Sequence, residues 1–258
     1  MFSYEIALEY WEVFLLILVR IASFASTAPF FNMSNTPQRI KLGLSVFISI
    51  IIFTIIPERE VVYDGIIEYA MLLIKESIVG LLLGWVCNIC IQTITFAGHI
   101  MDLEIGLSMA TTYDPTLQQQ VSISGNFYYH VTFLLLLVSG MYQFLISAIV
   151  DSYTIVPLGS LAVNMSLYDS ILGVAAEYFI VGFRIALPIF VVSMLANAIL
   201  GILTKVAPQL NMFAVGIQLK LLVGLTVMLV TASLLPYIST YILNMMETAV
   251  KAIAGGLR

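Results

Sequence analysis

Long, almost uncharged stretches of apolar residues dominate the chain and alternate with short polar segments. A helix needs about twenty such residues to cross the hydrocarbon core of a bilayer. Six stretches are of this order, and they are residues 11–31, 40–56, 66–97, 127–150, 171–204 and 215–246. The pattern predicts an all-α, polytopic hydrophobic protein of about six long helices.

Prolines and small residues interrupt the apolar pattern inside these stretches. Pro188 and Pro236 are expected to kink their helices, because proline lacks a backbone N–H and clashes with the preceding turn. The Gly80–Gly84 spacing in "GLLLG" favours close contact between two helices. No internal repeat, low-complexity tract or Gly/Ser linker divides the chain. We therefore expect one helical unit that buries its sides against other subunits.

The composition agrees with a membrane setting. Of 258 residues, 61% are hydrophobic and only 10% are charged, whereas soluble domains carry about a quarter charged residues. Ten Lys and Arg stand against fifteen Asp and Glu. The composition argues against strong nucleic-acid binding, because such binding requires a basic surface and no basic cluster occurs.

The charges near the ends of the apolar stretches predict an orientation. Lys and Arg are retained on the cytoplasmic side of a membrane, and they occur at Arg39 and Lys41 and again between Lys205 and Lys220. This pattern predicts an external N-terminus and a cytoplasmic turn in the segment 205–220. With six spans, the same orientation places the C-terminal tail, with Lys251 and Arg258, outside, so that end does not follow the rule. The acidic start of the chain is unlike a secretory signal, so we expect it to be retained.

Ionisable residues inside apolar stretches are informative because each costs about 2.5–3.5 kcal/mol to insert. Arg20 and Arg184 lie near the middle of their stretches and need a carboxylate or a water-filled space. For Lys75, Glu76 and Glu177, mutual pairing or reaching to the interface is an equally good explanation. The polar or charged candidates inside the membrane are Arg20, Asp102, Glu104, Arg184 and Lys220.

No enzyme site is recognisable in the sequence. Cys87, Cys90 and His99 could be considered as metal ligands, but a structural zinc site needs a fourth ligand. Small buried residues at a helix contact are the favoured interpretation of the two cysteines. Nucleophile-elbow and phosphate-binding glycine motifs are missing. We expect a protein that is not an enzyme and that holds no cofactor or metal.

One polar segment lies between apolar stretches. "GLSMATTYDPTLQQQVSISG", residues 106–125, has a single charge and lies between two very apolar stretches. Gly106 permits unusual backbone angles, and Asp114-Pro115 favours a turn. These residues predict a polar loop that follows Asp102 and Glu104.

Several motifs, read in chain order, resemble one family. They are "RIASFASTAPFFNMSNTPQRIKLGLS", "GLLLGWV", "FAGHIMDLEIGLSMATTYDP", "SGMYQFLISAIVDSYTIVPLG" and "FRIALPIFVVSMLANAILGILTKVAPQLNMFAVGIQLKLLVG". The chain resembles the FliR/SctT family of type III secretion export-gate proteins over nearly its whole length. The likeness is greatest to the flagellar branch of that family.

The resemblance implies a subunit of the export gate, through which unfolded flagellar or effector proteins leave the cytoplasm. It implies FliP-like and FliQ-like partner subunits, an FlhB-like switch protein, contact with membrane lipid, and a place in the inner membrane and flagellar basal body. Residues 1–150 then correspond to a FliP-like half and residues 151–258 to a FliQ-like half. The helices are expected to pack into an assembly seated largely above the bilayer plane.

By resemblance, residues 106–122 correspond to the family's plug loop, which obstructs the pore. An uncharged polar loop can sit in a wet lumen without binding any one cargo strongly, and Met109 could help to close the gap. Asp102 and Glu104, before the loop, are expected to face water in the channel, to accept hydrogen bonds from a neighbouring subunit, or to form a plain solvated helix end. The plug candidates are Gly106, Leu107, Ser108, Met109, Ala110, Thr111, Thr112, Tyr113, Asp114 and Pro115.

A second segment, "PQLNMF", resembles the family's hairpin tip near the channel entrance. It lies on the predicted cytoplasmic turn between the last two stretches. Its candidates for subunit contact are Pro208, Gln209, Asn211 and Phe213.

Three other functions compete with a flagellar gate subunit. A small-molecule secondary transporter also has intramembrane charges and Pro-broken helices, although two similar halves with paired broken helices are missing. The equivalent subunit of a virulence injectisome, and a scaffold with no part facing a lumen, are the other two.

Overall fold

The structure is a computed structural model that describes residues 2–31, 36–55, 61, 63–110, 112–114, 119–207, 209 and 212–258. At residues 2–9, 109, 110, 112–114, 119–121 and 212–214 we describe the backbone alone. The described residues form α1 (Phe2–Thr27), α2 (Gln38–Ile55), α3 (Ile66–Ile105), α4 (Ile123–Val138), α5 (Met141–Ile155), α6 (Met165–Val206), α7 (Met212–Thr231) and α8 (Leu235–Gly256). The predicted all-α class is confirmed.

The number of apolar spans agrees with the sequence prediction. Within the described residues, five helical segments are long and apolar enough to cross a membrane, and α4 with α5 makes a sixth if this broken pair counts as one span. The segment 215–256 joins α7 to α8 through a short 3₁₀ turn, Ala232–Leu234. α3 has 40 residues and α6 has 42, about twice the length that a bilayer requires.

Several boundaries differ from the prediction. α1 covers Phe2–Thr27 instead of 11–31, and α8 continues past 246 to Gly256. α3 continues past Ala97 to Ile105, because its polar last turns are satisfied inside the fold, as described below. The predicted fourth helix, 127–150, is interrupted at Ser139 and Gly140. Gly140 has φ 91°, a left-handed conformation that glycine adopts without the steric cost of a Cβ. The run of apolar residues concealed this break.

The two prolines behave differently. Pro236 lies in the first turn of α8, directly after the 3₁₀ turn, where a missing N–H leaves no helical hydrogen bond unmade. The structure has an interruption just before Pro236 rather than a kink at a proline inside a helix. α6 continues through Pro188 as one helix, and the kink expected there stays a prediction.

The chain forms two compact units, each built from separate segments. The first comprises residues 1–90, 140–175 and 244–258, and the second comprises residues 91–139 and 176–243. Both halves of the sequence, 1–150 and 151–258, contribute to both units. The division into a FliP-like and a FliQ-like half therefore stays a prediction.

In the first unit α1 and α3 approach closely through the "GLLLG" glycines. A Cβ on Gly80 would lie 2.2 Å from the carbonyl oxygen of Arg20, and one on Gly84 would lie 2.1 Å from Thr27 Oγ1. Only glycine fits at such contacts, because any side chain would force the backbones apart. The predicted helix contact is confirmed, and it joins two helices of the same chain.

In the second unit an aromatic cluster joins α3 to α6. The ring of Phe96 lies 5.2 Å from that of Tyr178, 5.4 Å from that of Phe179 and 5.7 Å from that of Phe183, measured between centroids. A Cβ on Gly182 would lie 2.4 Å from the Phe96 ring. The absence of a side chain at Gly182 lets this ring pack on the α6 backbone.

Much of the apolar surface is left uncovered by the chain itself. In the most apolar windows of α2 and α6 only 17% of the residues are buried, and in that of the segment 215–256 the share is 11%. Exposed apolar area of this extent indicates contact with lipid or with other proteins. The chain is a membrane protein.

Candidate functional site

Residues 106–122 form a loop between α3 and α4, and the two ends of this loop lie close together. Gly106, with φ 89°, ends α3, and its N–H donates to the carbonyl oxygen of Asp102 at 3.0 Å. A 3₁₀ turn over Leu107–Ala110 follows, and then strands β1 (Thr112–Asp114) and β2 (Gln119–Val121) pair antiparallel with Thr112 opposite Val121. The predicted polar loop thus contains a small β-hairpin. Pairing of the strands brings the two arms of the loop together.

Asp102 links the two ends of this loop. Its carboxylate is buried and accepts hydrogen bonds from Ser122 Oγ at 2.7 Å and from the Ser124 backbone N–H at 3.2 Å. Ser122 is the N-cap of α4, and its Oγ also accepts from the Gly125 N–H at 2.8 Å. A carboxylate at the N-terminus of a helix is further favoured by the helix dipole. The last turn of α3 is thereby tied to the first turn of α4.

The backbones of α3 and α4 touch directly at the same level. A Cβ on Gly98 would lie 2.0 Å from the Cα of Gly125. Neither helix could hold its position with a larger residue at Gly98, since the obstructing atoms belong to a backbone. We call Gly98, Asp102, Ser122, Ser124 and Gly125 the loop base.

Two further helices hold the end of α3. Ser193 Oγ of α6 donates to the carbonyl oxygen of Glu104 at 2.9 Å. The side chain of Ile105 fills the space over Gly224 of α7, where a Cβ would lie 2.5 Å from Ile105 Cγ1. The last turn before the loop is therefore fixed by contacts to α4, α6 and α7.

A second buried polar cluster lies in the first unit. Arg20 Nε and Glu76 Oε2 form an ion pair at 2.5 Å, and both side chains are inaccessible to water. Arg20 Nη1 donates to the carbonyl oxygen of Val156 at 3.0 Å, and the Gly159 N–H donates to Glu76 Oε1 at 2.8 Å. The guanidinium also lies 4.3 Å from the centre of the Tyr153 ring, a cation–π contact. The cluster joins α1 and α3 to the turn after α5.

The comparisons with known proteins now identify the family. The sequence matches the family described as "Bacterial export proteins, family 1" over residues 11–246. The chain belongs to this family. The relatives similar to this chain over most of its length include three named "Flagellar biosynthetic protein FliR". That of Escherichia coli K12 is 30% identical over 87% of this chain and 84% of its own length. The Bacillus subtilis 168 protein is 29% identical over 88% and 89%, and the Aquifex aeolicus VF5 protein is 26% identical over 88% of each. Membership of the FliR/SctT family, predicted from the motifs, is confirmed.

The described part of the plug segment begins the loop. Gly106, Leu107 and Ser108 are half-buried. The backbones of Met109 and Ala110 complete the 3₁₀ turn, and those of Thr112, Tyr113 and Asp114 form β1. Thr111 and Pro115 lie outside the described residues. Obstruction of a pore by these residues stays a prediction.

The predicted entrance hairpin is described only in part. Gln209 lies in an exposed turn between α6 and α7, and the backbone of Phe213 belongs to α7. Pro208 and Asn211 lie outside the described residues.

The charged candidates divide into two groups. Arg20 has found a carboxylate, as its position requires, and that carboxylate is Glu76 rather than a group of another subunit. Asp102 is buried against this chain's own α4, so it neither faces water nor forms a plain solvated helix end. Arg184 is exposed, Glu104 and Lys220 are half-buried, and none of the three makes an ion pair to a residue in the described ranges.

The residues considered as metal ligands are separated by their burial. Cys87 and Cys90 are buried thiols of α3, as the interpretation of small residues at a helix contact predicts. His99 lies on an exposed part of the same helix. The described residues contain no group of three or more His, Cys, Asp or Glu side chains placed to hold a metal ion.

Most residues of the loop base carry no signal in the sequence. Ser122 is predicted as part of the loop, although a serine just before an apolar helical run is a frequent N-cap signal. Gly98 and Gly125 are single glycines, and nothing in the sequence shows that two positions so far apart touch. Ser124 contributes a backbone N–H, which has no sequence signal.

We expect Asp102→Ala to loosen the loop base without unfolding the helices. Loss of the carboxylate leaves the Ser124 N–H and the Ser122 hydroxyl buried without their acceptor, at a cost of about 1–3 kcal/mol. Hydrogen exchange of peptides covering residues 122–126 in the purified chain should then become about tenfold faster. Asp102→Asn, which keeps one acceptor oxygen, should have a smaller effect.

The matched control is Asp151→Ala, which removes an exposed carboxylate from α5. Its exchange over residues 122–126 should equal that of the unaltered chain. Equal exchange in the Asp102→Ala chain would show that Asp102 does not hold the loop base.

Proposed function

We propose that the chain is a subunit of the flagellar type III secretion export gate and forms part of the channel through which unfolded flagellar proteins cross the inner membrane. In this proposal residues 106–122 are the plug, and the protein is a transport component rather than an enzyme. Membership of the export family and relatives that bear the name "Flagellar biosynthetic protein FliR" support it.

The observation that carries the plug assignment is the anchoring of the loop at both ends. Asp102 ties Ser122 and Ser124 to the last turn of α3, and contacts to α6 and α7 hold that turn in place. The chain between these anchors cannot be pulled out of the protein without breaking a buried hydrogen-bond network. A stopper must yield to cargo and return afterwards, and a loop with a fixed base and an almost uncharged tip suits this task.

Exposed apolar helix surfaces support assembly with partners. The exposed apolar surfaces of α2, α6 and the segment 215–256 are available for contact with FliP-like and FliQ-like subunits, with an FlhB-like switch protein and with lipid. A multi-pass protein of the bacterial inner membrane within the flagellar basal body is the corresponding location. The FliP-like half, 1–150, and the FliQ-like half, 151–258, belong to the same proposal.

The flagellar gate is favoured over its rivals. The relatives reported above bear a flagellar name, which favours the flagellar over the injectisome branch. Membership of an export family argues against a secondary transporter of a small solute. The loop base argues against a scaffold with no part facing a lumen. A purely structural role does not require a polar loop, residues 106–122, whose two ends are held by buried hydrogen bonds.

The proposal is tested by isolating the chain from its own membrane in mild detergent. We expect FliP-like and FliQ-like subunits to co-purify with it, and we expect cells that lack the chain to stop exporting flagellar proteins. Purification as a solitary chain, together with solute movement in vesicles that contain this chain alone, would overturn the proposal in favour of a transporter.

A further inference from the structure

A cavity in the second unit combines apolar walls with unused hydrogen-bond donors. It has a volume of about 340 Å³ and is lined by α6, by the 3₁₀ turn with the start of α8, and by Tyr128 of α4. Ile185 and Pro188 contribute apolar wall, and Arg184, Tyr237 and Tyr241 contribute polar groups. Its size and mixed lining are typical of small-molecule sites.

Two of the polar groups are already used inside the protein. The Tyr128 hydroxyl contacts the Met228 carbonyl oxygen at 3.2 Å and Thr231 Oγ1 at 3.1 Å. The Tyr241 hydroxyl donates to Glu177 Oε1 at 3.4 Å. Arg184 and Tyr237 are exposed, and neither has a hydrogen bond or ion pair to any residue that the structure describes. Both are donors, and one carries a full positive charge, so an anion is the complementary ligand.

The surroundings of Arg184 show what else the ligand must contain. Val181, Ile185 and Pro188 line the cavity on the same helix as Arg184, so an anion at Arg184 has apolar surface next to it. A guanidinium binds an anion through charge-assisted hydrogen bonds. A ligand with an anionic group and long apolar chains satisfies both requirements together.

The length of α6 is consistent with a lipid headgroup at the level of Arg184. Arg184 lies near the midpoint of the 42 residues of α6, and about 20 residues suffice to cross the hydrocarbon core. Either half of α6 is therefore long enough to span a bilayer. A membrane that contains one half has its headgroup region at Arg184.

We propose that this cavity binds a phospholipid, with the phosphate on the Arg184 guanidinium and the Tyr237 hydroxyl, and with an acyl chain along Ile185 and Pro188 of the cavity wall. Arginine forms paired hydrogen bonds to phosphate oxygens, and basic pockets between membrane helices bind lipid headgroups. An acidic side chain of a neighbouring subunit is the competing occupant. It accounts for the charge of Arg184 but leaves most of an apolar 340 Å³ cavity unfilled.

The test uses the purified full chain in detergent and native mass spectrometry with phosphatidylglycerol as the probe. We expect the unaltered chain to retain phosphatidylglycerol, and Arg184→Gln to weaken retention about tenfold, the loss of one charge-assisted contact. The unaltered chain should retain diacylglycerol with the same acyl chains no better than the Arg184→Gln chain retains phosphatidylglycerol. Millimolar inorganic phosphate should not displace the lipid, because it lacks the apolar chains.

The matched control is Lys205→Gln, which removes an exposed positive charge from the end of the same helix. It should retain phosphatidylglycerol like the unaltered chain, and unchanged melting temperatures should show that both variants fold. The proposal would be overturned if the Arg184→Gln chain retained phosphatidylglycerol as well as the unaltered chain does, or if the Lys205→Gln chain lost as much of it as the Arg184→Gln chain. It would also be overturned if the unaltered chain retained diacylglycerol as well as phosphatidylglycerol. Loss of the lipid when the chain is isolated within its complex would also overturn it, in favour of a subunit contact.

Discussion

Deletion of residues 107–119 is expected to make the membrane leaky to ions and small molecules while the export complex still assembles. The deletion removes the excursion but keeps Asp102, Ser122 and Ser124, so the contact between α3 and α4 can still form. Helix packing in the second unit depends on that contact and on Gly98, Ile105 and Gly224, none of which is deleted. A bore that the loop no longer obstructs should conduct.

The measurement is the entry of a membrane-impermeant dye, together with potassium leakage, in cells whose complexes are confirmed by co-purification. A chain in which the same segment is replaced by Gly and Ser residues of equal length is the matched control. It should leak less than the deletion, since it still fills part of the bore. A scaffold without a lumen-facing part predicts unchanged permeability in both variants, and that outcome, with complexes assembled, would contradict the plug.

Glu76→Ala is expected to destabilise the first unit by about 3–5 kcal/mol, the cost of leaving a buried charge without its partner. Arg20 is fully buried, and its Nη2 already lacks a hydrogen-bond partner. Without the Glu76 carboxylate its Nε loses its counterion, and the Gly159 N–H loses its acceptor. A stability of about 5–15 kcal/mol is typical of native proteins, so we expect a large fall in melting temperature and in the amount of chain in cells.

The chain provides its own control for this prediction. Lys251 and Glu247 form an exposed ion pair one turn apart on α8, and such pairs contribute about 0.3–0.5 kcal/mol. Glu247→Gln should therefore leave the melting temperature nearly unchanged. The double variant Arg20→Met with Glu76→Gln should regain much of the lost stability, because no buried charge remains and the introduced amide oxygen can still accept from the Gly159 N–H. A single Glu76→Ala variant as stable as the Glu247→Gln control would show that the buried pair has no structural role.

The helices were predictable because their signal is local. A run of about twenty apolar residues is sufficient to indicate a membrane-length helix, and the glycine pair in "GLLLG" correctly predicted a close helix contact. The break at Gly140 was missed because apolar residues continue on both sides of it. A single glycine in such a run is equally compatible with a helix interior.

The polar contacts were predictable only in kind. The position of Arg20 required a carboxylate or a water-filled space. Several carboxylates were available, and the choice of Glu76 depends on how α1 and α3 pack. Asp102 was expected to meet water, to accept from a neighbouring subunit, or to be solvated at a helix end. Its partners Ser122 and Ser124 instead come from this chain's α4, because the loop between them folds back. Contacts that arise from chain reversal leave no pattern in the local sequence.

In the proposed gate, residues 106–122 occupy a water-filled bore enclosed by this chain and its sister subunits. The decisive measurement is the structure of the complete gate, extracted from its own membrane and imaged at side-chain resolution. We predict density for the loop across the axis of the bore, with Asp102 still bound to Ser122 at the loop base. A chain surrounded by lipid alone, or a loop lying on the outer surface of the complex, would contradict the account.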